Sequence, residues 1–330
     1  MIETTSAALA VSSLETRAGF ARIERSIAAH DAVMASLEEM NTLEIGGAPP
    51  AREPLAFPFT VAAWNLERCL FPEESAAHLD ATGASLVLLS EMDNGMARTG
   101  QRHPTAEIAV ALGMQYAYGV EFIELGLGSD TEREFCKDGF NEKGFHGNAL
   151  LAAAPFNRPF MLRLWGERLW FMDGGDQPRV GERLAIGAVI ETRAGPFVAI
   201  STHLESATTA AYRERQVKEL IDALDATFPG LPVLIGGDLN SGNHIGGDFE
   251  AEGLFAMSAE RGFTRHGGPI DGMTTRPSLI TRWPKRAMKL DWFLARGLKI
   301  GKSHIIPSPD SSGRPLSDHD LITCVVEGFE

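Results

Sequence analysis

The stretch Leu231-Pro232-Val233-Leu234-Ile235-Gly236-Gly237-Asp238-Leu239-Asn240-Ser241-Gly242 decides how the chain is read. A short apolar run containing Val and Ile reads as a buried strand, and two glycines end it by letting the backbone turn. Asp238 and Asn240 then stand at the strand's open end. Two residues apart in extended backbone, they leave on one face, so a carboxylate and an amide can address one small object together. That suits a general base that holds a water while its neighbour positions it or the electrophile. An Asx turn after a strand explains the same residues without any chemistry. The rest of the chain decides between the two.

At 330 residues, 44% apolar and 22% charged, the sequence reads as globular and long enough for a sizeable core. No apolar run reaches the roughly 18 residues of a membrane span. Residues 1–19 have no basic residue before Arg17, which argues against a secretory signal. Cys69, Cys136 and Cys324 are scattered without metal-ligand spacing, as expected of structural thiols in a reducing, cytoplasmic setting. Thirty basic against 44 acidic residues give a net charge of −14. A chain that grips a phosphate backbone needs a positive face, so the balance argues against duplex DNA as partner. Part of the excess acid fits a cation site instead.

Residues 1–55 read as a helical N-terminal extension and linker, and residues 56–330 as the catalytic domain. Residues 13–41 contain no Pro and one Gly, with Phe20, Ile23, Ile27, Val33, Met34 and Leu37 at helical intervals. One or two helices are predicted, ended by Gly46-Gly47-Ala48-Pro49-Pro50, with a Pro/Gly-rich linker up to Pro58. They read as a lid packed on the domain, or as a homo-oligomerising or partner-binding surface over residues 6–45. Beyond Phe59 short apolar strands alternate with helices. Strands are predicted at 60–65, 85–91, 115–122, from 145, at 288–294 and at 321–326, with a hairpin over 183–192 and 195–202. Helices are predicted at 73–82, 103–112, 209–228 and 249–261.

Polar residues stand where these apolar strands end: Asn65, Glu67, Glu91, His203, Asp238, Asn240, Asp291, Asp318 and His319. Carboxylates and imidazoles buried at a sheet edge are costly unless they pair or bind a cation. The oxygen set Glu91, Asp318, Asn65 and Glu67 suits magnesium, with waters completing the octahedron, and manganese would fit the same ligands. Asp291 is a candidate partner that fixes the tautomer of His319 and favours its imidazolium. A charged histidine beside a cation is an electrostatic clamp for a phosphoryl group gaining negative charge. Either histidine alone reads more readily as a satisfied structural residue; joint placement at strand ends is what reverses that.

The ordered set Trp64-Asn65, Ser90-Glu91, Thr202-His203-Leu204, Gly237-Asp238-Leu239-Asn240, Leu290-Asp291-Trp292 and Ser317-Asp318-His319 resembles the endonuclease/exonuclease/phosphatase superfamily with the pancreatic-deoxyribonuclease-like fold. Each motif is short and weak alone; six in order are specific, and they cover the chain from about residue 57 onward. The resemblance implies a four-layer α/β/β/α sandwich of two mixed sheets, with the site where the strand ends of both sheets meet. It makes Glu91 the principal metal ligand, supported by Asn65 and Asp318. Asp238 looks like the residue that activates or orients the attacking water, with Asn240 beside it on the phosphate. His319, oriented by Asp291, is similar to the histidine that stabilises the pentacoordinate state, and His203 to one near the leaving group or a non-bridging oxygen. Glu67 departs from the shorter acid of DNA-repair members, and Ala152-Ala153-Ala154-Pro155 stands where relatives often carry Ser-Arg.

Arg276, Arg282, Lys285, Arg286 and Lys289, with Arg98 and Arg102, form two basic clusters that could hold a second phosphate at the rim, or lie solvated on loops. The glycines at Gly126, Gly174-Gly175 and Gly246-Gly247 lack the Lys-Ser/Thr that a phosphate-cradling loop needs. The expected activity is that of a divalent-metal-dependent phosphoester hydrolase on a phosphate-containing substrate, most simply a phosphodiesterase on a small or lipid-derived molecule. The alternatives are a nuclease on RNA or single-stranded DNA, and an assembly or regulatory module in which hydrolysis is secondary.

Overall fold

Strands rich in Val, Ile and Leu cannot stay in water, and two sheets of them bury one another here. In the computed structural model, residues 1–47, 53–173, 177–243, 246–285 and 287–330 are described. Residues 48–52 of the linker, Gly174-Gly175 and Arg286 of the basic cluster lie outside the described residues.

The N-terminal part carries β1 (Thr5–Ser6), α1 (Leu14–Phe20), α2 (Ile27–Ser36) and β2 (Leu43–Gly47). Next come β3 (Phe59–Arg68), α3 (Pro72–Asp80), β4 (Ala84–Asn94), α4 (Pro104–Leu112), β5 (Gln115–Glu124), the short α5 (Asp130–Arg133) and β6 (Phe145–Ala152). The middle holds β7 (Phe156–Arg163), α6 (Leu169–Asp173), β8 (Arg179–Gly181), β9 (Leu184–Thr192), β10 (Gly195–His203), α7 (Ala210–Thr227) and β11 (Val233–Asp238). The chain closes with α8 (Gly253–Glu260), β12 (Thr264–His266), β13 (Asp291–Arg296), β14 (Leu298–Ile306) and β15 (Leu321–Phe329).

One sheet has nine strands in the order β1-β2-β5-β6-β4-β3-β15-β14, with β8 also on β5; the other has six, β12-β13-β11-β10-β9-β7. Both are mixed: β3 runs parallel to β4 and β10 parallel to β11, while β15 is antiparallel to β3 and β13 to β11. Val61, Leu86, Leu88 and Ile322 of the larger sheet meet Ile190, Phe197, Leu234 and Phe293 of the smaller in a shared core. On the outer faces, Leu79 of α3 and Ile108 of α4 cover the larger sheet, and Leu220, Ile221 and Leu224 of α7 cover the smaller. The order is therefore helix, sheet, sheet, helix, as the resemblance implies.

The N-terminal segment is more than helical. Gly46 and Gly47 belong to β2, which pairs antiparallel with β5 over Glu44–Tyr118 to Gly47–Gln115. Phe20, Leu37 and Met40 are buried in the larger sheet's outer core, and Ile23, Val33 and Met34 pack partly against it. The apolar stripe read from the sequence thus faces the chain's own core, except Ile27, which stays exposed.

Gly236 and Gly237 do not end their strand; β11 runs through both to Asp238. At Gly236 a Cβ would lie 2.7 Å from Leu88 of the facing sheet, and at Gly237, with φ +141°, it would lie 2.0 Å from the Thr202 carbonyl oxygen. The glycines permit close strand and sheet contact, which delivers Asp238 to the sheet edge. The predicted helix at 249–261 is broken, with a 3₁₀ turn (Phe249–Ala251) before α8. Buried Glu252 lies between them in extended backbone, paired with Arg213 and accepting from the Gly242 N–H at 2.8 Å. Strands β7, β8, β12 and β14 were not expected: they are short or lie at edges, where apolar runs are interrupted.

Met40 is fully buried beneath β5 although it lies in the N-terminal segment. Met40→Ala is expected to cost roughly 2–5 kcal/mol in urea unfolding of the whole chain. A change within a few tenths would mean the segment is not part of the cooperative unit.

Candidate functional site

Two bulged strands aim the acids. The ladder between β3 and β4 is irregular between Asn65 and Arg68, and that between β4 and β6 between Leu89 and Met92. At these bulges Glu67 (φ +43°), Arg68 (φ +80°) and Glu91 (φ +56°) adopt left-handed backbone, as does Asn240 (φ +49°) after β11. Such conformations are strained for residues with a Cβ and persist only where the surroundings enforce them. All four side chains turn into one cavity of about 440 Å³, shared with His203, Asp238, Asp318 and His319. Trp170, Gln177, Ser206, Thr281 and Trp283 are among the other residues of its wall.

Asp238 stands at the crossing point. Its Oδ2 lies 3.1 Å from Asn65 Nδ2, 3.5 Å from His203 Nε2 and 3.6 Å from His319 Nε2, while Oδ1 accepts from the Asn240 N–H at 2.8 Å. Burial works against its charge, but His319 and His203 hold the carboxyl below its usual range. His319 Nδ1 faces Asp291 Oδ2 at 2.8 Å, and its Nε2 also lies 3.9 Å from Asp318 Oδ1. Burial alone would lower its pKa, but Asp291, Asp238 and Asp318 push it up to about 10. His319 is therefore an imidazolium with Nε2–H directed into the cavity.

Glu91, on the larger sheet, accepts from Asn65 Nδ2 at 3.2 Å and pairs with Arg68, whose Nε donates to Glu132 at 2.8 Å. Behind them Arg98, fully buried, donates to both oxygens of Asp93 at 2.8 Å, to Glu124 at 2.7 Å and to Glu132 at 3.0 Å. His203 is backed by Arg183, whose guanidinium lies 2.8 Å from Nδ1, with Glu121 Oε2 3.6 Å away.

Two expected ligands are placed differently from the sequence reading. Asn65 turns its amide nitrogen, not its oxygen, toward Glu91 and Asp238, because Oδ1 accepts from the Glu67 N–H at 3.0 Å. Glu67 lines the cavity, but Oε1 takes Ser278 Oγ (2.7 Å) and the Thr281 N–H (3.0 Å), and Oε2 the Asp318 N–H (3.1 Å). It therefore fastens the 278–281 loop to β3. Burial first, then nearby Asp318, raises its pKa to about 7. Asn240 is not in extended backbone beside Asp238: the N–H bond to Asp238 closes an Asx turn, and Nδ2 donates to the Leu204 carbonyl at 3.0 Å. The turn reading thus holds at these residues. Arg68, Glu132, Arg183 and Trp170 were missed; Arg68 carried a signal, as the residue after Glu67 at the same strand end.

The donor chemistry fits a hard divalent cation. Glu91, with its side chain 19% exposed, opens on the cavity that Asp238 and Asp318 also line. The NH₂ of Asn65 and the guanidinium of Arg68 lie against Glu91, as positive groups do where carboxylates crowd. Asp238, Asp291 and His319 also offer ligand atoms within 4.8 Å of one another, but the His319–Asp291 hydrogen bond makes that trio a proton-holding chain.

The sequence matches the endonuclease/exonuclease/phosphatase family over residues 62–319. No curated protein matches the chain by sequence. Among solved structures, an endonuclease/exonuclease/phosphatase from Beutenbergia cavernae is similar at TM-score 0.59 and 18% identity, over 82% of this chain and 72% of that one. The human Nocturnin catalytic domain with bound sulfate is similar at TM-score 0.56 and 18% identity, over 87% and 97%. Truncated TDP2 of Caenorhabditis elegans gives TM-score 0.55 and 16% identity, over 82% and 98%. At these identities the likeness carries the fold.

In the metal-free protein, NMR is expected to show His319 still protonated above pH 8, with Asp291→Asn moving its midpoint down toward the ordinary value of about 6.5. Because its folded pKa is the higher one, the stability His319 contributes is complete below its unfolded pKa and is lost as pH rises through about 10. Titration of His319 near 6.5 in the unsubstituted protein would contradict this geometry.

Proposed function

The chain belongs to the endonuclease/exonuclease/phosphatase family, and on that premise we propose that it is a magnesium-dependent phosphoester hydrolase, a phosphodiesterase on a small or lipid-derived substrate. The convergence of Asn65, His203 and His319 on one oxygen of Asp238, inside a cavity that also holds Glu91 and Asp318, carries the reading. Glu91 and Asp318 would hold the ion, with Asp238 beside them, and manganese fits the same oxygens. When bound, the ion supplies a Lewis acid for a phosphoryl oxygen.

The chain's own groups divide the remaining work. Asp238, kept ionised by the two histidines and pinned through Oδ1 by Asn240, is the acceptor for a proton of the attacking water. His319 points Nε2–H into the cavity and retains its proton through Asp291, so it stabilises charge developing on phosphorus-bound oxygen. His203, held by Arg183 and close to Asp238, stands ready for a second such oxygen. Asn240, bound to the carbonyl next to His203, fixes the strand ends of β10 and β11 relative to each other.

Five of the seven cations in the basic clusters are already held by acids or carbonyls, which favours a small substrate over RNA or single-stranded DNA. Arg276 is held by both oxygens of Asp320 at 2.5 and 2.6 Å, and Arg282 by Glu134 at 3.1 and 2.6 Å. Lys289 is buried against the carbonyls of Gly267 and Pro269, Arg98 is enclosed by acids, and Arg102 pairs with Glu73 and Glu107. A nucleic-acid groove needs such cations unengaged. No helix among the described residues is long and apolar enough to cross a membrane. A cytoplasmic setting belongs to this proposal and rests on the unpatterned cysteines.

With magnesium, a panel of small phosphodiesters, sugar and inositol phosphates, phospholipid head groups and oligonucleotides is expected to give turnover on a small ester that EDTA abolishes and added salt barely changes. Asp238→Ala and His319→Ala should each lower kcat on the order of a hundredfold or more. Full activity in both variants would overturn the mechanism; oligonucleotide cleavage that falls steeply with salt would favour a nuclease.

A further inference from the structure

Part of the catalytic cavity's wall comes from a segment without regular structure, where Ile280 and Thr281 line the cavity between Arg276 and Arg282. One end of this segment is fixed. Arg276 donates to both oxygens of buried Asp320 at 2.5 and 2.6 Å, and its N–H to the Asp318 carbonyl at 2.9 Å. The middle is a compact turn. Ser278 Oγ accepts from the N–H groups of Ile280 at 3.1 Å and Thr281 at 2.8 Å, and the Ser278 N–H donates to the Thr281 carbonyl at 2.8 Å. A turn closed on itself in this way moves as a unit. The far end is held differently: Arg282 donates to the two oxygens of Glu134 at 3.1 and 2.6 Å, with the side chains 50% and 55% exposed. Glu134 caps the C-terminal end of α5, two residues after Glu132, which holds Arg68 beside Glu91. The pair therefore joins two parts of the site that lie 148 residues apart in sequence.

We propose that residues 278–282 are a movable wall of the catalytic cavity, hinged at Arg276 and clasped at Arg282–Glu134, and that this clasp sets the bulk of the ester group admitted. The unequal ends select this reading. The Arg276–Asp320 pair is bidentate on a buried carboxylate, so releasing it would strand a charge. An exposed pair shifts an open–closed equilibrium by only about fivefold or less, so the Arg282 end is the one that lets go. Glu67 defines the closed position through its bonds to Ser278 Oγ and the Thr281 N–H. Outward movement of Ile280 and Thr281 widens the cavity and leaves Asp238, His319 and Glu91 in place, since their partners lie outside the segment. Arg282 and Glu134 act on the substrate only through that wall and are positioning residues.

The size assignment rests on the phosphoesterase reading, and the test separates the two. The full chain is compared with Arg282→Glu, with Glu134→Arg and with the double exchange, all with magnesium. Hydrogen exchange read by mass spectrometry is expected to show amides of residues 278–282 several-fold less protected in each single variant and close to parental in the double. Two diesters with one leaving group, 4-nitrophenyl methyl phosphate and bis(4-nitrophenyl) phosphate, then report on admission. Each single variant should raise the bulky-to-small ratio of kcat/KM about three- to fivefold, through KM, and the double exchange should restore it. The kcat on the methyl ester should stay unchanged. Parental exchange and an unchanged ratio in both single variants would overturn the proposal, as would losses on both esters that the double exchange does not rescue. A segment that loosens while the ratio stays constant would end the size assignment and leave the catalytic reading standing. If the parent chain turns over neither diester the size assignment also falls, and only an inert result across the whole phosphoester panel takes the phosphoesterase reading with it.

Discussion

A single carboxylate oxygen ties the two sheets together at their open ends. Asp238 Oδ2, on the smaller sheet, lies within reach of Asn65 from the larger sheet, His319 from the segment that leads into β15 of that sheet, and His203 from its own. Trp64 Nε1 donating to the His319 carbonyl at 2.9 Å and Ser201 Oγ to that of Leu89 at 3.0 Å bridge separate segments around the same point. A buried carboxylate is tolerable there only because positive and N–H groups surround it. The same encirclement that makes the fold possible keeps Asp238 ionised.

Holding this arrangement carries a local penalty. Left-handed backbone at Glu67, Arg68, Glu91 and Asn240 costs roughly 1–3 kcal/mol each. The opposing terms lie close by: the Arg98–Asp93–Glu124–Glu132 network under the bulges, and the bonds by which Glu67 secures the 278–281 loop. That loop precedes Trp283, so packing at the base of β3 also governs the rim. Strain sits where side chains must leave the regular alternation of a strand to face a common space.

The parts of the fold that were legible in the sequence are those where local pattern and burial agree. The apolar runs of β3, β4, β10, β11 and β15 and the periodic helices α3, α4 and α7 all form near their predicted bounds. Edge strands such as β7 and β14 escaped because they are half wet and carry little apolar signal. Strand β2 escaped because its Gly-Gly end reads as a stop when its partner, β5, lies some 70 residues later. In the site, acids and histidines at strand ends could be named, since burial without partners would be prohibitive. Their hydrogen-bond roles could not: the turned amide of Asn65 and the loop-fastening role of Glu67 depend on neighbours from 278–281 and 318, distant in sequence. Arg183 and Glu121 belong to no motif and become visible only when β9, β5 and β10 are brought together.

The central claim is that strand ends from both sheets meet to hold a divalent ion beside Asp238. Manganese binding followed by electron paramagnetic resonance, on the intact chain and on Glu91→Gln, tests it most directly. The account predicts saturable binding in the first, displaced by magnesium, and loss of at least tenfold in affinity in the second, with the fold unchanged by circular dichroism. Equal manganese affinity in the two proteins would contradict it.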